Sequence, residues 1–347
     1  MTIKLQQIFE TPDQYLFTFE NEDAIFVEMD REAYYRSIFL DRRISPKGAT
    51  GHRVRAAALI EQLERAKPSP LCYIFHVAHC GSTLLARALD VAEANLVYRE
   101  PMTLRYLGVL AAGTERAAAP ADGWQRRMRL ATAMLGRRYN AAGPAIVKAN
   151  VPVNFMLSEL MQLDPQQPAI LLYATLENYL LAVLRSSDHQ SWVGRVTGEV
   201  GAGIGRQIGG FDPDSGVAKA AAQLWLAQAL IFAEALRRFP NVVSLDAETF
   251  FAQPGQAVAA AFAHFGQPRT EAEIAATIGS DLFSRYSKNP QLEFSNARRL
   301  GLREQSRAEL RSQIDEARRW LTQRPGFERL PKSFERPLVG EGGELSS

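Results

Sequence analysis

YIFHVAHCGSTLLARALD, residues 73–90, contains the transition that decides the fold of this chain. It runs from an apolar segment into a short polar loop and then into a second apolar segment. The residues after the loop recur at the spacing of one helix face: Leu84, Leu85, Ala88 and Leu89. A continuous apolar run followed by this periodicity predicts a buried strand, a tight loop and the start of a helix.

The loop between strand and helix has the composition of an anion site. Gly81 allows the backbone to approach a ligand closely, and Ser82 and Thr83 are residues that cap helices. The first N–H groups of a helix are unpaired, and the helix dipole is positive there, so we expect Cys80, Gly81, Ser82 and Thr83 to hold a phosphate. The alternative is an ordinary strand–turn–helix with a Ser/Thr cap.

The absence of one residue pair limits the types of phosphate loop that this segment can form. A Walker A loop requires Gly-Lys followed by Ser or Thr, whose lysine reaches the terminal phosphates. The chain contains no Gly-Lys dipeptide. The sequence therefore argues against a magnesium-dependent nucleotide triphosphatase.

Short apolar runs alternate with helical patterns from residue 71 onward. The predicted strands are 71–78, 95–100, 144–150, 168–174 and 241–247, and the predicted helices are 82–92, 103–112, 123–138, 153–162, 176–187 and 216–238. This alternation predicts an α/β fold with a mainly parallel central sheet between layers of helices. His79, Glu100 and Lys148 lie at or near the carboxyl ends of three strands, where such folds bind ligands.

Three regions complete the predicted organisation. Residues 1–66 are interpreted as a small α+β appendage with a hairpin near Asn21, residues 67–330 as the main domain, and residues 331–347 as a disordered tail. The glycine-rich segment 189–213 has little periodicity and is interpreted as a candidate mobile lid.

Composition excludes several classes of protein. The 347 residues carry a net charge of +2, which does not indicate a nucleic-acid partner. Two cysteines make neither a disulfide framework nor a zinc motif, and no apolar run is long enough to span a membrane. We expect a cytoplasmic protein without a metal, and the sequence leaves its oligomeric state open.

Several blocks together resemble the sulfotransferase superfamily. HVAHCGSTLLARALD is followed by VYREP, and then in order by AIVKAN, AILLYATLENYLLAVLRS, VVSLDAETF and SRYSKNP. The resemblance covers roughly residues 71–325. It implies a P-loop-type three-layer sandwich that transfers a sulfuryl group from 3′-phosphoadenosine 5′-phosphosulfate (PAPS) to a hydroxyl or amine of a small-molecule or peptide acceptor.

The same resemblance implies roles for four residues. Glu100 corresponds to the family's general base, and its alternative is a helix cap or a partner of an arginine. His79 stands where the family has a loop lysine or arginine, as an imidazolium or a simple hydrogen-bond donor. Lys148 corresponds to a lysine near the sulfuryl group, and Lys288 to a late loop that closes over the donor; each has a surface lysine as its alternative.

Two positions depart from the pattern. The family holds the donor's 3′-phosphate with an arginine and a serine, and the corresponding residues here are Ala174 and Ala182. Arg185 and Ser186 follow about one turn later and are the candidate substitutes. The departure leaves two alternatives open: a degenerate member that binds a nucleotide or a protein without PAPS-dependent catalysis, and an enzyme whose donor lacks a 3′-phosphate.

Overall fold

Five parallel strands form the central sheet of this protein. The computed structural model describes residues 5–48, 51–63, 70–114, 121–140 and 143–346. The strands of the sheet, numbered in chain order after three N-terminal ones, are β4 (Leu71–His76), β5 (Leu96–Arg99), β6 (Ala145–Lys148), β7 (Ala169–Tyr173) and β8 (Val242–Asp246). Their order across the sheet is β5-β6-β4-β7-β8.

Helices flank this sheet. They are α4 (Ser82–Ala88), α5 (Met102–Ala112), α6 (Ala121–Leu135), a 3₁₀ helix (Val151–Met156), α7 (Leu157–Leu163), α8 (Leu176–Leu184), α9 (Ser187–Ile208), α10 (Val217–Arg238), α11 (Ala247–Ala252) and α12 (Pro254–His264). The predicted α/β fold and all five predicted strands are confirmed. Their residues are mostly apolar because nearly every one is buried under a helical layer.

A less buried region follows the sheet and its helices in the chain. It consists of α13 (Glu271–Ile278), α14 (Asp281–Ser284), a hairpin of β9 (Arg285–Tyr286) and β10 (Asn289–Glu293), and the long helix α15 (Asn296–Leu321). Only the last third of α15 buries side chains, at Ile314, Ala317 and Leu321. The rest of α15 presents a charged surface, as its composition predicts.

The N-terminal segment forms an antiparallel sheet of three strands. It contains α1 (Leu5–Glu10), β1 (Gln14–Glu20), β2 (Asp23–Glu28), α2 (Arg31–Arg36), β3 (Gly51–Arg55) and α3 (Ala56–Leu63). The hairpin predicted near Asn21 is present. Strand β3 was not predicted, because its sequence was interpreted as loop and helix. Its backbone partners lie on β2, 24 to 32 residues away along the chain. The predicted boundary between residues 66 and 67 lies outside the described residues.

Arg99, the last residue of β5, fastens this N-terminal segment to the central sheet. Its side chain is 1% exposed and donates to the carboxylate of Asp90, just after α4, and to the carbonyl oxygen of Ser37 at 2.7 Å. A buried guanidinium needs such partners to offset its desolvation. Arg99, the residue that precedes Glu100, is therefore held both by Asp90 and by the N-terminal segment.

The glycine-rich segment is a helix, so its interpretation as a mobile lid is wrong. α9 begins after the cap residue Ser186 and ends before Gly209, which adopts a left-handed φ of 77°. Its buried residues do recur at helical spacing: Val193, Val196, Thr197, Val200, Gly203, Ile204 and Ile208. A Cβ at Gly203 would lie 2.8 Å from the Phe155 ring, so glycine there permits close helix packing.

The C-terminal tail is ordered along the sheet, and its predicted disorder is wrong for residues 331–346. Leu338 N–H donates to Ser244 O at 2.7 Å, so the tail pairs with the outer edge of β8. Leu345 is fully buried, and its carbonyl accepts from Leu176 N–H at the start of α8. The unpaired edge of β8 and the free N–H of α8 supply partners that a polar tail sequence does not reveal.

None of the helices within the described ranges is both long and apolar enough to cross a bilayer.

Replacing Leu345 by Ala should lower the free energy of unfolding by about 2–4 kcal/mol, because a fully buried leucine leaves a cavity. Chemical denaturation measures this change. Leu292→Ala is the control, since that side chain is 54% exposed and should change stability by less than about 0.5 kcal/mol. Equal effects of the two substitutions would contradict the docked position of the tail.

Candidate functional site

The loop after β4 has an unusual backbone. Ala78, His79 and Gly81 all adopt left-handed φ angles, of 74°, 52° and 87°. Non-glycine residues rarely do so, and such strain concentrates at ligand sites. At Gly81 the neighbours also require glycine, since a Cβ would lie 2.7 Å from the Phe251 ring. The loop therefore turns sharply into α4, whose first N–H groups are directed away from the helix.

A pocket opens directly over this loop. Gly81, Ser82 and Thr83 form its floor, with Ala174 and Ala182 from the end of β7 and from α8. Its cationic residues come from four other elements: Arg185, Arg285, Lys288, Arg299 and Arg303. Glu248 is the acidic residue among the described residues that line it. The arrangement is an anion pocket with an excess of positive charge.

Two arginines of α15 were not anticipated from the sequence. Arg299 makes a bidentate ion pair with Glu248, both contacts being 2.7 Å, and Arg303 contacts the same carboxylate at 2.6 Å. Arg303 Nε is buried without a hydrogen-bond partner, as is Thr83 Oγ1 on the opposite wall. The sequence gives little indication of Arg299 and Arg303, because an arginine on a long charged helix usually belongs to a solvated face.

His79 lies inside the pocket with its ring against two others. Its ring centroid is 4.0 Å from that of His189 and 5.1 Å from that of Trp192, both on α9. Burial lowers the pKa of His79 well below its usual value, and Lys288 lowers it further. In this state of the protein the ring is therefore neutral, and it does not provide the cation that the family has at this position.

Glu100 and Lys148 form an ion pair at adjacent strand ends. Lys148 Nζ donates to Glu100 Oε1, and Glu100 adopts a left-handed φ of 55°. The lysine is fully buried, and burial lowers its pKa while Glu100 raises it. Both residues lie beside the pocket rather than among those that line it.

His76, which was not among the residues predicted for the site, completes this cluster. Its Nε2 is 3.1 Å from Lys148 Nζ, and its Nδ1 accepts from the Ala78 N–H at 3.0 Å. It therefore joins the strained loop to the ion pair. Burial, and then Lys148, lowers the pKa of His76. Its position at the last residue of β4, beside Lys148 on β6, is the signal that could have identified it.

Of the other residues predicted for the site, two line the pocket and two have roles in the fold. Arg185 and Lys288 line the pocket, and Arg185 donates to Tyr286 Oη at 3.0 Å. Ser186 instead caps α9 by accepting from His189 N–H, so its hydroxyl is used in the fold. Cys80 is buried against Leu172 O, and burial raises its thiol pKa to about 11, so only its backbone can serve an anion.

The chemistry available at the site is anion binding and proton transfer. No group of three or more metal-binding side chains occurs within the described ranges of the chain. The groups that converge are backbone N–H donors, guanidinium groups, two ammonium groups, two carboxylates and three imidazoles. This set suits the transfer of an anionic group to a nucleophile.

Comparisons with known proteins give a likeness to solved structures. No family model matches this chain, and neither does any curated protein. Among solved structures, the sulfotransferase domain from the curacin biosynthetic pathway is similar at a TM-score of 0.38 and 12% identity, over 78% of this chain and 100% of that domain.

Replacing Gly81 by Ala should cost about 1–3 kcal/mol of stability, because it adds a left-handed alanine and a contact with the Phe251 ring. Gly194→Ala on α9 is the matched control. A Cβ at Gly194 would have no atom within 4 Å. Alanine is also more favourable than glycine inside a helix, by about 1 kcal/mol. Thermal denaturation should show opposite shifts, and a stable Gly81→Ala protein would contradict the loop geometry.

Proposed function

We propose that this protein transfers a sulfuryl group from PAPS to a hydroxyl or amine of a small-molecule or peptide acceptor. One observation carries the proposal: the loop at 81–83 and a set of cations share a single pocket, beside a buried carboxylate–ammonium pair. An anionic donor would neutralise the excess positive charge of that pocket. The carboxylate beside it is suited to accept the proton of a nucleophile.

The structure offers two places for the phosphates of such a donor. The N–H groups at Gly81, Ser82 and Thr83 would hold the 5′-phosphate. For the 3′-phosphate, Ala174 and Ala182 provide no polar contact. Of the cations that share the pocket with these alanines, we propose that Arg185, Arg299 and Arg303 take this role. The buried, unpartnered Nε of Arg303 supports the fit of an anion at this wall.

The proposed reaction assigns separate tasks to the residues beside the loop. Glu100 accepts the proton from the acceptor hydroxyl as the new S–O bond forms. The bond between sulfur and the donor's phosphate oxygen breaks at the same time, and the charge left on that oxygen is stabilised by Lys148 and Lys288. His76 lies beside this pair, with its Nε2 3.1 Å from Lys148 Nζ.

A second function is favoured by one feature of the same residues. Lys148 is completely buried and engaged with both Glu100 and His76. Phe39 of the N-terminal segment also lies near Lys148, whose Nζ is 5.6 Å from the ring centroid. A protein that binds a nucleotide without transferring a group would retain the pocket and keep this pair closed to an acceptor. Turnover with any acceptor excludes this alternative.

Donor binding can be tested with the product nucleotide, adenosine 3′,5′-bisphosphate (PAP). We expect PAP to bind more tightly than AMP, and Arg303→Gln to weaken PAP binding about tenfold or more, since a charge-assisted contact is worth roughly 1.5–3 kcal/mol. Isothermal titration calorimetry measures both affinities.

The control for this experiment is Arg311→Gln, further along α15, where the side chain is 82% exposed and its contact with Asp315 is 3.9 Å. It should leave PAP binding unchanged. Equal affinity for PAP and AMP would contradict the proposed 3′-phosphate site. A preference for adenosine 5′-phosphosulfate over PAPS would indicate a different donor.

Glu100→Gln should lower turnover by about 10²–10⁴-fold, because the amide cannot accept the acceptor's proton. PAP affinity should stay within a few-fold, since Glu100 does not line the donor pocket. Sulfuryl transfer from labelled PAPS to a panel of phenols, amines and tyrosine peptides measures the rate. Unchanged turnover would remove Glu100 from the base role.

A further inference from the structure

Two imidazole rings meet where the phosphate loop faces α9. His79 and His189 both line the donor pocket, and their ring centroids are 4.0 Å apart with the planes tilted by 48°. Trp192, one turn further along α9, packs edge-on against the His79 ring at 5.1 Å. The pair is thus held between the left-handed backbone of the loop and a helix.

A hydrogen bond determines which nitrogen of the His189 ring carries the proton, whereas the nitrogens of the His79 ring are available for a new partner. His189 Nδ1 lies 2.8 Å from Ala182 O, and because a carbonyl only accepts, this nitrogen must carry the proton. In the neutral ring, His189 Nε2 is then an acceptor. Within the described part of the chain, neither ring nitrogen of His79 has a hydrogen-bond partner.

The charges that face the pair are mostly positive. Lys288, on the β9–β10 turn, and Arg185, at the end of α8, act on both rings, and Lys148 also acts on His79. Asp188, next to His189, is the acidic group that acts on this pair. Burial first, and these cations second, lower the pKa of His79; burial lowers the pKa of His189, which Ala182 O opposes. Both rings are therefore neutral without a ligand.

Resting on the proposed function, we propose that the His79–His189 pair takes up one proton when a phosphate binds in the loop, and so carries a single imidazolium charge. The proton comes from solvent, and no covalent bond changes. The bound pair then supplies, only in the presence of donor, the cation that a loop lysine would supply at all times. His189 is a previously unassigned member of the site, and the ligand is a phosphate group of a nucleotide.

The stoichiometry of one proton follows from the geometry. A phosphate anion against the loop attracts a positive charge on the nearest ring, which favours protonation. Two charged imidazoles at 4.0 Å would repel each other strongly in a partly buried site, so the second protonation is opposed. The pair therefore titrates as a unit that holds one charge.

Affinity should then depend on pH in a defined direction. The pKa of the pair is below its usual value in the free protein and is raised in the complex, so binding takes up protons between these two pKa values. Within that window PAP should bind more tightly as pH falls, by up to about tenfold per pH unit for one proton. Above the pKa of the complex the dependence should disappear.

Calorimetry of PAP binding in two buffers with different ionisation enthalpies measures the proton uptake directly. At pH 7–7.5, where the nucleotide's own phosphates are mostly ionised because their second pKa is about 6, we expect a net uptake of up to one proton. His79→Lys should bind PAP with no uptake and with a flat pH profile over this range, because the added ammonium is already charged. His189→Asn should also reduce the uptake.

The control is His52→Asn on β3, a histidine that lines none of the site, which should leave uptake and affinity as in the parent protein. Binding of PAP without proton uptake, or uptake that persists in His79→Lys, would overturn the inference and leave the proposed donor site standing. Failure of the parent protein to bind PAP at any pH would overturn the proposed function as well.

Discussion

The left-handed backbone at Ala78, His79 and Gly81 is the constraint on which the rest of the site depends. It turns the chain from the end of β4 into α4 within a few residues, so the first N–H groups of the helix face the pocket. The same turn places the His79 ring against α9 and brings the Ala78 N–H to His76. A more relaxed loop would separate these groups, and its strain is compensated by burial of the strand and helix on either side.

Charge distribution divides the site into two parts. The pocket combines Arg185, Arg285, Lys288, Arg299 and Arg303 with one lining carboxylate, and it is incompletely neutralised as it stands. The neighbouring cluster pairs Lys148 with Glu100 and is electrically balanced. An anion that enters the pocket would relieve the repulsion between its cations. For the proposed transfer, the Glu100–Lys148 pair must instead open to admit an acceptor. This difference makes donor binding and transfer separable in experiment.

Sequence patterns were informative where the structure is determined by burial. The five buried strands and the helices α5, α8 and α10 follow from apolar runs and periodicity, because each must cover the central sheet. The patterns failed at β3, α9 and residues 331–346. In these places the deciding partners were a neighbouring strand, a close helix contact made possible by Gly203, and the free edge of β8. None of these partners is near in sequence.

By itself, the sequence determined the α/β fold, the strand–loop–helix transition at 80–83 and the placement of His79, Glu100 and Lys148 at or near strand ends, since parallel strands share one carboxyl edge. Only the tertiary structure decided how these residues pair. It placed His76 beside Lys148, His189 against His79, and Arg299 and Arg303 of α15 in the same pocket as Ala174 and Ala182. The residues brought together are 72 to 129 positions apart, and short-range periodicity holds no information about which distant helix face will meet a given strand end.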